Sequence, residues 1–461
     1  MSTPINASPL EIPSPEGRFE TYQEAEDYLN TFTDYERMER GVEYPEDLFD
    51  LRRIERLLDC VGNPQAGLSG IHVAGTKGKG STALFAEAIL RAHGLTTGLF
   101  TSPHLLVKEE RIQVSGEALK PEEFLGWMNR LRPALVSLQD SPMPPTFFDI
   151  VTTVGLLQFR ARGVEAAILE VGLGGRLDST NVFLPDVCVL TRLGLDHTEK
   201  LGNTLGLIAA EKAGIIKPSR PVISHTQEPE ARVVVEKRCL ETGSPIWWLG
   251  EDVRIEAGEG AAPFGFSVTT PKARYPGLTL SVLGRHQQMN AAVAIAAAAV
   301  FMEQGKGVPL DPDRVREALA RTRLPGRIEK LSDAPLLVVD GAHNAVAMEV
   351  LLATVEQELS YDNLHVLFAC SKDKDVREMI SLLAPAAGRW TFTKFDFPRI
   401  EEPERLQEIL EEVAPGAESR VTRSVAEALD DVRGRSGSRD CILCCGSFYL
   451  VGEIFKTIPG I

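Results

Sequence analysis

The chain has 461 residues, of which 43% are hydrophobic and 25% are charged, and this length predicts two or three domains of ordinary composition. The formal net charge of −16 argues against a general nucleic-acid or anionic-membrane partner, because the chain has no basic surplus to neutralise phosphates. No apolar run approaches the ~20 residues that a membrane helix needs.

Seven cysteines without paired spacing predict reduced thiols and a cytoplasmic protein. The proline- and serine-containing start has no apolar segment behind basic residues. Residues 1–18 are therefore expected to form a disordered tail and not a secretory leader. We take a monomer as the expected oligomeric state.

From residue 70 onward, short apolar runs of strand character alternate with helical patterns, which predicts a mostly parallel sheet with helices on both faces. Ligands of such sheets gather at the carboxyl ends of the strands. The predicted strands are 71–74, 97–100, 166–171, 187–191 and 221–224, and the predicted helices are 82–92, 121–138, 147–162 and 204–213.

The later part of the chain predicts three further units. Short alternating segments rich in glycine and proline over residues 245–285, including 264–268 and 278–282, predict a small antiparallel sheet appended to the first domain. An alanine-rich helix is predicted over 287–304. A second α/β unit has predicted strands at 336–339, 365–369, 390–395 and 440–445, and predicted helices at 345–359, 375–383, 403–413 and 424–432. We therefore predict a first domain over residues 19–322 and a Rossmann-like domain over residues 323–461.

Residues 71–82 read IHVAGTKGKGST, a strand followed by a glycine-rich turn and the first turn of a helix. Backbone N–H groups and Lys79 then point at one place, which suits the phosphates of a nucleotide. The loop departs from the pattern G-x-x-x-x-G-K-[ST], because Val73 takes the first glycine position and Gly80 follows the lysine, so that Ser81 is the nearest hydroxyl. We predict a variant phosphate loop, with Lys79 spanning the β- and γ-phosphates and Ser81 near Mg²⁺. A plain glycine-rich turn with a solvated lysine is the alternative.

Three polar side chains follow strands of the predicted sheet. Glu170 ends an apolar strand before a glycine-rich turn, His197 follows the next strand and its loop, and Ser102 lies just past the strand that ends at Phe100. A carboxylate at this edge could hold Mg²⁺. On position alone, Glu170 is equally consistent with a surface acid, His197 with a structural histidine, and Ser102 with a turn serine.

Other charged residues have structural explanations as well. Lys212 lies at a helix end, where a solvated lysine is favourable. Asp340 ends the first predicted strand of the second unit, and Arg327 precedes it in the segment PGRIE. An arginine can neutralise phosphates or stack on a base, and an aspartate can accept from ribose hydroxyls. A local ion pair between the two residues is the alternative.

Taken together, these segments resemble the Mur ligase superfamily and, within it, folylpolyglutamate synthase/dihydrofolate synthase. The likeness extends from about residue 28 to residue 453, and its specificity comes from the number of motifs in order. The motifs are GNPQ at 62–65, GTKGKGST at 75–82, TSPHL at 101–105, EERI at 109–112, TFF at 146–148, EVGLGGRLDSTN at 170–181, LDHT at 195–198, EKAGIIK at 211–217, GRHQQMN at 284–290, PGRIE at 325–329, DGAHN at 340–344 and GSFYLVGE at 446–453.

The resemblance implies a Mur-ligase-like P-loop ATPase domain joined to a Rossmann-like C-terminal domain. The implied activity is an ATP-dependent amide ligase that joins L-glutamate to dihydropteroate or a reduced folate through an acyl phosphate. Mg²⁺, as a pair of ions, is the implied metal, and K⁺ is left open as a further ion. The one notable departure in the loop is Lys77, where asparagine is commoner in the family.

The roles implied for individual residues fall into four sets. The implied catalytic residues are Lys79, His197 and Lys212, the last as a carbamate. The implied nucleotide contacts are Gly75, Thr76, Lys77, Gly78, Lys79, Gly80, Ser81, Asn290, Arg327, Asp340 and His343. The implied Mg²⁺ ligands are Ser102, Glu170 and His197. The implied contacts to the pterin-bearing substrate are Thr146, Phe147, Asp178 and Ser179.

Three other functions compete with this one. A ligase for UDP-linked muropeptides belongs to the same superfamily, but the TSPHL and GSFYLVGE segments are of the folate type. A nucleotide-dependent switch NTPase would hydrolyse ATP without a glutamate acceptor. A pseudoenzyme that only binds folate is disfavoured by the intact Lys79, Glu170, His197 and Asp340. The sequence does not decide between adding the first glutamate, extending the chain, or both, although its bacterial-style segments favour both.

Overall fold

A computed structural model describes residues 17–35, 50–226, 228–258 and 264–458 of the chain. Residues 1–16 of the expected tail lie outside the described residues. Within the described part, none of the helices has the length and apolar character that crossing a membrane requires.

The first large sheet is built around β1, which carries the phosphate loop at its carboxyl end. In chain order, its strands are β1 (Gly70–Ala74), β2 (Thr97–Phe100), β3 (Ile112–Val114), β4 (Glu117–Ala118), β5 (Ala166–Glu170), β6 (Val187–Leu190), β7 (Val222–Ser224) and β8 (Ile246–Trp248). Their order across the sheet is β4-β3-β2-β5-β1-β6-β7-β8. Strands β1, β5 and β6 are parallel neighbours, so the loops that follow them share one edge.

Helices cover both faces of this sheet, as predicted. They are α1 (Tyr22–Leu29), α2 (Leu51–Cys60), α3 (Lys79–Ala92), α4 (Pro121–Gln139), α5 (Phe147–Ala161), α6 (Thr198–Leu201), α7 (Leu205–Ala213), α8 (Pro229–Thr242), α9 (Arg285–Lys306) and α10 (Pro312–Arg321). One apolar cluster joins α3 and α9 to one face, and another joins α2, α4 and α5 to the other. Because β1, β5 and β6 are buried along their whole length, their sequences are almost entirely apolar, with His72 in β1 and Glu170 at the end of β5 as the exceptions.

The small antiparallel sheet is present but narrower than predicted. It comprises β9 (Arg254–Ala257), β10 (Phe266–Thr269) and β11 (Arg274–Leu278), in the order β11-β10-β9. The prediction was wrong for β8, which pairs in parallel with β7, and for residues 279–282, which form no strand. Trp248 packs on the α7–α8 side and Trp247 on the α3–α9 side, so β8 is covered on both faces as a strand of the large sheet.

The second large sheet has the Rossmann-like character that was predicted. Its strands are β12 (Glu329–Asp333), β13 (Leu336–Val339), β14 (Leu364–Phe368), β15 (Ala387–Phe392), β16 (Ser419–Val421) and β17 (Cys441–Cys445), and its helices are α11 (Ala345–Glu358), α12 (Val376–Leu383), α13 (Pro403–Val413), α14 (Val425–Arg435) and α15 (Phe448–Thr457). The strand order is β12-β13-β17-β14-β15-β16, and only β12 is antiparallel. The buried cysteines of β17 pack as small apolar residues.

The packing of α3 predicts that Ile89→Ala is strongly destabilising. Ile89 is fully buried in the cluster that joins α3 and α9 to the first sheet, so its truncation is expected to cost about 2–5 kcal/mol through lost apolar burial and a cavity. Leu240→Ala on α8 is the control, because that side chain is 83% exposed and its loss should change stability by less than about 0.5 kcal/mol. Urea denaturation followed by circular dichroism measures both, and equal losses would contradict the packing of α3.

Candidate active site

The loop between β1 and α3 leaves the first backbone N–H groups of the helix uncapped. Gly78 precedes α3 with a φ of 87°, and no side chain caps the helix. The carbonyl oxygen of Arg192, just past β6, accepts hydrogen bonds from the N–H groups of Thr76 at 3.0 Å and Lys77 at 3.2 Å, which fixes the path of the loop. Uncapped N–H groups at a helix start bind anions by hydrogen bonding and through the helix dipole. The loop can therefore hold phosphates.

Two loop glycines are required by close packing. A Cβ atom on Gly75 would lie 1.8 Å from Thr191 Oγ1, and one on Gly78 would lie 2.3 Å from Asn290 Oδ1. Asn290 is buried, and its Nδ2 donates to Gln287 Oε1 at 2.9 Å, so it has little freedom to move away. The α9 helix thus presents Asn290 directly against the phosphate loop.

Charged side chains of both signs meet at the first turn of α3. Glu170 Oε2 accepts a hydrogen bond from the Ser102 N–H at 3.0 Å. A Cβ atom on Gly80 would lie 3.2 Å from that carboxylate oxygen and 2.7 Å from Arg327 Nη2. Burial raises the pKa of Glu170, although the positive charges of Lys79 and Arg327 act to lower it. Burial lowers the pKa of Lys79, although the negative charge of Glu170 acts to raise it. The cluster can therefore take up a multiply charged ligand.

Lys77, the departure in the loop sequence, forms an ion pair. Its Nζ donates to Asp196 Oδ2 at 3.1 Å. Burial acts to raise the pKa of Asp196, but the charges of Lys77 and His197 outweigh it, and the pKa falls to about 2. Asp196 thereby joins the loop after β6 to the phosphate loop, a contact that the sequence analysis did not identify.

His197 follows Asp196 in a left-handed conformation with a φ of 49°, at the start of α6. Its side chain is 45% exposed. Its partial burial outweighs the attraction of Asp196 and lowers its pKa to about 4. A neutral imidazole at pH 7 can serve as a metal ligand.

Lys212 of α7 contacts the backbone of the phosphate loop. Its side chain is buried, and its Nζ donates to the carbonyl oxygen of Gly75 at 2.9 Å. Burial, followed by the charge of Lys79, lowers its pKa to about 7. A Cβ atom on Gly175 would lie 3.1 Å from Lys212 Cα, so the loop after β5 packs directly on α7. Lys212 is thus an amine that is partly neutral near pH 7 and lies among the elements that form the site.

The second α/β unit contributes Arg327, Asp340 and His343. Both carboxylate oxygens of Asp340 accept backbone hydrogen bonds, from Ile328 N–H at 2.8 Å and Ala342 N–H at 2.7 Å. Burial raises the pKa of Asp340 to about 6, although these two hydrogen bonds act to lower it. Asp340 therefore holds the turn that carries Arg327, whose guanidinium lies 5.4 Å from the centre of the Phe448 ring.

A cleft of about 420 Å³ is lined by residues of both α/β units. The predicted residues that line it are Thr76, Lys77, Gly78, Lys79, Gly80, Ser102, Glu170, His197, Arg327 and His343. Burial lowers the pKa of His343 to about 4, so both histidines of the cleft are neutral at pH 7. In the described part of the chain, the predicted residues outside the lining are Gly75, Ser81, Lys212, Asn290, Asp340, Thr146, Phe147, Asp178 and Ser179.

The sequence analysis assigned no role to the other lining residues. They are Tyr35, Pro103, Gly172, Leu173, Asp196, Glu199, Lys200, Ser371, Asp373, Lys374, Phe397, Arg399, Gly446, Ser447, Phe448 and Tyr449. Residues 446–449 lie within a family motif, whereas residues 371–374 lie in none. Both segments lie between the end of a strand and the start of a helix, where Ser447 caps α15 and Asp375 caps α12. This strand-to-helix pattern was the local sequence signal that could have identified them as lining residues.

The four predicted substrate residues are buried next to this cleft. Ser179 Oγ donates to Asp149 Oδ1 at 2.6 Å, and Thr146 Oγ1 donates to Asp149 Oδ2 at 2.8 Å. Asp178 accepts from the N–H of Leu173 at 2.8 Å, which holds a lining residue of the cleft. These contacts unite Thr146, Ser179 and Asp178 with the loop after β5.

Phe147 belongs to the same buried region. The guanidinium of Arg111 lies 5.7 Å from the centre of its ring. Arg111 Nε donates to His104 Nδ1 at 2.9 Å, so the ring is connected to the loop that carries Ser102. Phe147 is itself buried and does not line the cleft, so it supports the loops around the site from within.

The donor set fits Mg²⁺ bound together with phosphates. In the described residues, no three His, Cys, Asp or Glu side chains converge as a metal-binding cage. Mg²⁺ commonly uses one or two carboxylates plus substrate phosphates and waters, and Glu170 beside the phosphate loop supplies such a carboxylate. Glu170, Ser102 and His197 all line the cleft.

Comparisons with known proteins agree with this geometry. The Mur ligase middle domain family matches residues 73–298, and the Mur ligase, glutamate ligase domain family matches residues 326–448. The dihydrofolate synthase/folylpolyglutamate synthase of Bacillus subtilis is 34% identical over 448 residues, covering 95% of this chain and 100% of that protein. The folylpolyglutamate synthase of Lacticaseibacillus casei is 37% identical over 421 residues, covering 89% of this chain and 95% of that protein.

A solved structure shares the whole architecture. Mycobacterium tuberculosis folylpolyglutamate synthase, complexed with ADP and AMPPCP, has a TM-score of 0.81 and 28% identity, over 94% of this chain and 97% of that chain. High coverage of both chains in sequence and structure means that the likeness extends over both α/β units. The chain therefore belongs to the folylpolyglutamate synthase family of Mur ligases.

Proposed function

We propose that this protein is an ATP-dependent ligase that adds L-glutamate to dihydropteroate and to folylpolyglutamate chains. The observation that carries this proposal is the meeting of Lys79, Glu170 and Arg327 around the uncapped first turn of α3. ADP and AMPPCP in the Mycobacterium tuberculosis relative support nucleotide use. The name of the full-length Bacillus subtilis relative supports both acceptors.

The reaction proceeds in two transfers. A carboxylate oxygen of the acceptor attacks the γ-phosphorus of ATP, and ADP leaves with the electrons of the broken P–O bond. The α-amine of L-glutamate then attacks the acyl carbon, loses a proton, and displaces inorganic phosphate. Such transfers depend mainly on positioning and electrostatics, and Lys79 and the loop amides supply these at the phosphates.

Glu170, Ser102 and His197 would hold the metal ion beside these phosphates. Mg²⁺ supplies charge neutralisation to the transferred phosphoryl group. The neutral imidazole of His197 and the carboxylate of Glu170 suit that ion, while a bound K⁺ has no specific support in the geometry. In this proposal Asn290, which packs against the phosphate loop, and Asp340, which holds the turn that carries Arg327, contact the nucleotide together with His343, which lines the cleft.

Lys212 acts as a carbamate. Its neutral amine attacks CO₂ at carbon and loses a proton, which converts a cation into a carboxylate-like group. A pKa of about 7 supports this step, because much of the amine is unprotonated near neutral pH. The pterin ring binds near Phe147, with Thr146, Asp178 and Ser179 shaping that region.

Residues 19–322 and 323–461 act as two lobes that close over the substrates, since the cleft is lined from both. The protein works as a monomer in the cytoplasm. The seven unpaired thiols support a reducing compartment. A muropeptide ligase is not favoured, because the full-length relatives carry folate-synthase names.

Gly78→Ala is expected to weaken ADP binding by about tenfold or more, which corresponds to ~1.4 kcal/mol. The added Cβ would lie 2.3 Å from Asn290 Oδ1, so the loop or α9 must shift. Gly94→Ala is a matched control, because Gly94 has nearly the same φ, 86° against 87°, but nothing within 4 Å of its Cβ position. Isothermal titration with ADP measures both. Equal affinities of the two variants would contradict the close approach of Asn290.

Phosphate release should require ATP, L-glutamate and a folate acceptor together. We expect it with dihydropteroate and with tetrahydrofolate, and not with UDP-linked muropeptide. Lys79→Ala should lower the rate by about 100-fold or more through lost stabilisation of the phosphoryl group, while Lys237→Ala on the exposed side of α8 should not. ATP hydrolysis without an acceptor would instead identify a switch NTPase.

The same assay tests the intermediate. Isotopic oxygen placed in the acceptor carboxylate should appear in the released phosphate, because one carboxylate oxygen leaves with phosphorus. Label retained wholly in the amide product would exclude the acyl phosphate.

Carbamylation of Lys212 should rise with pH. The amine must be neutral, so the carbamate fraction should fall as pH drops below the pKa of about 7 and increase above it. Labelled CO₂ followed by carbon NMR measures the carbamate, and activity of CO₂-depleted protein should recover on adding bicarbonate. The signal should vanish in Lys212→Ala and persist in Lys237→Ala. Full activity without any carbamate would show that the amine works unmodified.

A further inference from the structure

A second cavity, of about 580 Å³, runs along α3 away from the cleft. We call it the arginine groove and define it by Leu84, Ala88 and Arg91 of α3 and by Arg314, Ala318 and Arg321 of α10. Both the groove and the cleft are lined by Gly80, Pro103 and Arg327. The groove therefore opens at the site of phosphoryl transfer.

The groove is elongated, and positively charged arginines are spaced along its length. Its α3 wall runs from Gly80 to Arg91, which spans about 16 Å at 1.5 Å per residue. On the opposite wall, Arg314 and Arg321 are two helical turns apart on one face of α10, about 10 Å along the axis. Apolar Leu84, Ala88 and Ala318 lie among these cations. Arg314 and Arg321 can therefore bind two separate anionic groups of one extended ligand.

Two of the three acidic residues that line the groove are already engaged by hydrogen bonds within the protein. Glu87 accepts from Arg91 Nε at 2.9 Å. Glu110 accepts three backbone N–H groups, from Leu105, Leu106 and Val107, at 2.8 to 3.0 Å. Only Glu317 stands exposed beside the cations.

Arg314 and Arg321 of α10 are available to bind a ligand. Arg323, which follows α10, forms an ion pair with Glu329 at 2.7 Å. Arg314 and Arg321 are exposed, and no side-chain ion pair is found for either among the described residues. In a chain with a net charge of −16, this is a local excess of positive charge that leads into the cleft.

We propose that the arginine groove holds the oligo-γ-glutamyl chain of an elongated folate acceptor by its free α-carboxylates. This inference rests on the proposed function. A γ-linked glutamate spans about 6 Å when extended, because its backbone has two more carbon atoms than an α-peptide unit. The groove thus accommodates two or three units, whose methylenes lie on the apolar stripe while guanidinium groups bind the carboxylates.

A groove of this kind makes affinity depend on chain length. An acceptor with one glutamate reaches the phosphate loop without entering the groove. An acceptor with four glutamates keeps its terminal γ-carboxylate at the phosphate loop and places two or three of its α-carboxylates beside Arg321 and Arg314, so its pterin lies toward the far end of the groove and not near Phe147. The groove therefore favours longer chains without taking part in the chemistry.

The test compares Arg314→Gln, Arg321→Gln and the double variant with Arg316→Gln. Arg316 is on the same helix but pairs with Asp313 at 2.5 Å and is not a lining residue of the groove. With tetrahydrofolate carrying one glutamate, all variants should keep wild-type kcat and KM. With tetrahydrofolate carrying four glutamates, KM should rise about five- to tenfold in the groove variants, more in the double variant, and not in Arg316→Gln. Unchanged ratios of the two KM values would overturn the proposal.

Direct binding separates this inference from the proposed function. Free tetra-γ-glutamate, without a pterin, should bind the wild-type protein in a titration, and the double variant should lose that binding. Thermal unfolding checks that the variants are folded. If the protein ligates no glutamate to the monoglutamate acceptor, the proposed function fails, but the titration still decides the groove. Absence of tetra-γ-glutamate binding, or binding of only L-glutamate or inorganic phosphate, overturns the assignment of this ligand.

Discussion

The absence of a side chain at Gly80 is the constraint on which the arrangement of this site depends. A Cβ atom there would meet the guanidinium of Arg327 at 2.7 Å and the carboxylate of Glu170 at 3.2 Å. Only glycine lets a carboxylate of the first sheet and a guanidinium of the second α/β unit approach the first turn of α3 together. This accounts for the departure from the standard phosphate-loop pattern, which has a hydroxyl residue at that position. The nearest hydroxyl, Ser81, is buried one residue further on.

The fold was most predictable where strands are buried on both faces. Strands β1, β2, β5, β6, β13 and β17 were placed within one residue, because their apolar runs are continuous and end at glycine, proline or a polar residue. The strands that were missed or assigned to the wrong sheet are β3, β4, β8, β12 and β16, and all of them except β3 lie at the edges of their sheets. With two to five residues each, such strands contain too few apolar side chains to be distinguished from a loop.

In the candidate site, features that one short segment encodes were predicted, and contacts between distant segments were not. Glycines and a lysine in one short segment predicted the phosphate loop. The place of Glu170 at a strand end left a surface acid equally possible, and only the family resemblance implied a metal ligand. The Lys77–Asp196 ion pair joins residues 119 positions apart and leaves no local pattern. The oxygens of Asp340 accept two backbone N–H groups of the turn, which the sequence did not reveal, while its contact with the nucleotide stays a prediction. Pairings across the chain depend on how strands are ordered, and that order is not written in any single segment.

The loop after β2 ties the site to both lobes. At one end, the Ser102 N–H donates to Glu170. In its middle, the Leu105 N–H donates to Glu110 at 2.8 Å, while the Leu105 carbonyl oxygen lies 2.4 Å from the position of a Cβ on Gly452 of α15. We expect a rotation of the second α/β unit to press on this loop at Leu105 and so to affect the hydrogen bond to Glu170. Coupling of this kind suits a ligase, because an acyl phosphate must be formed only when the lobes exclude water from it.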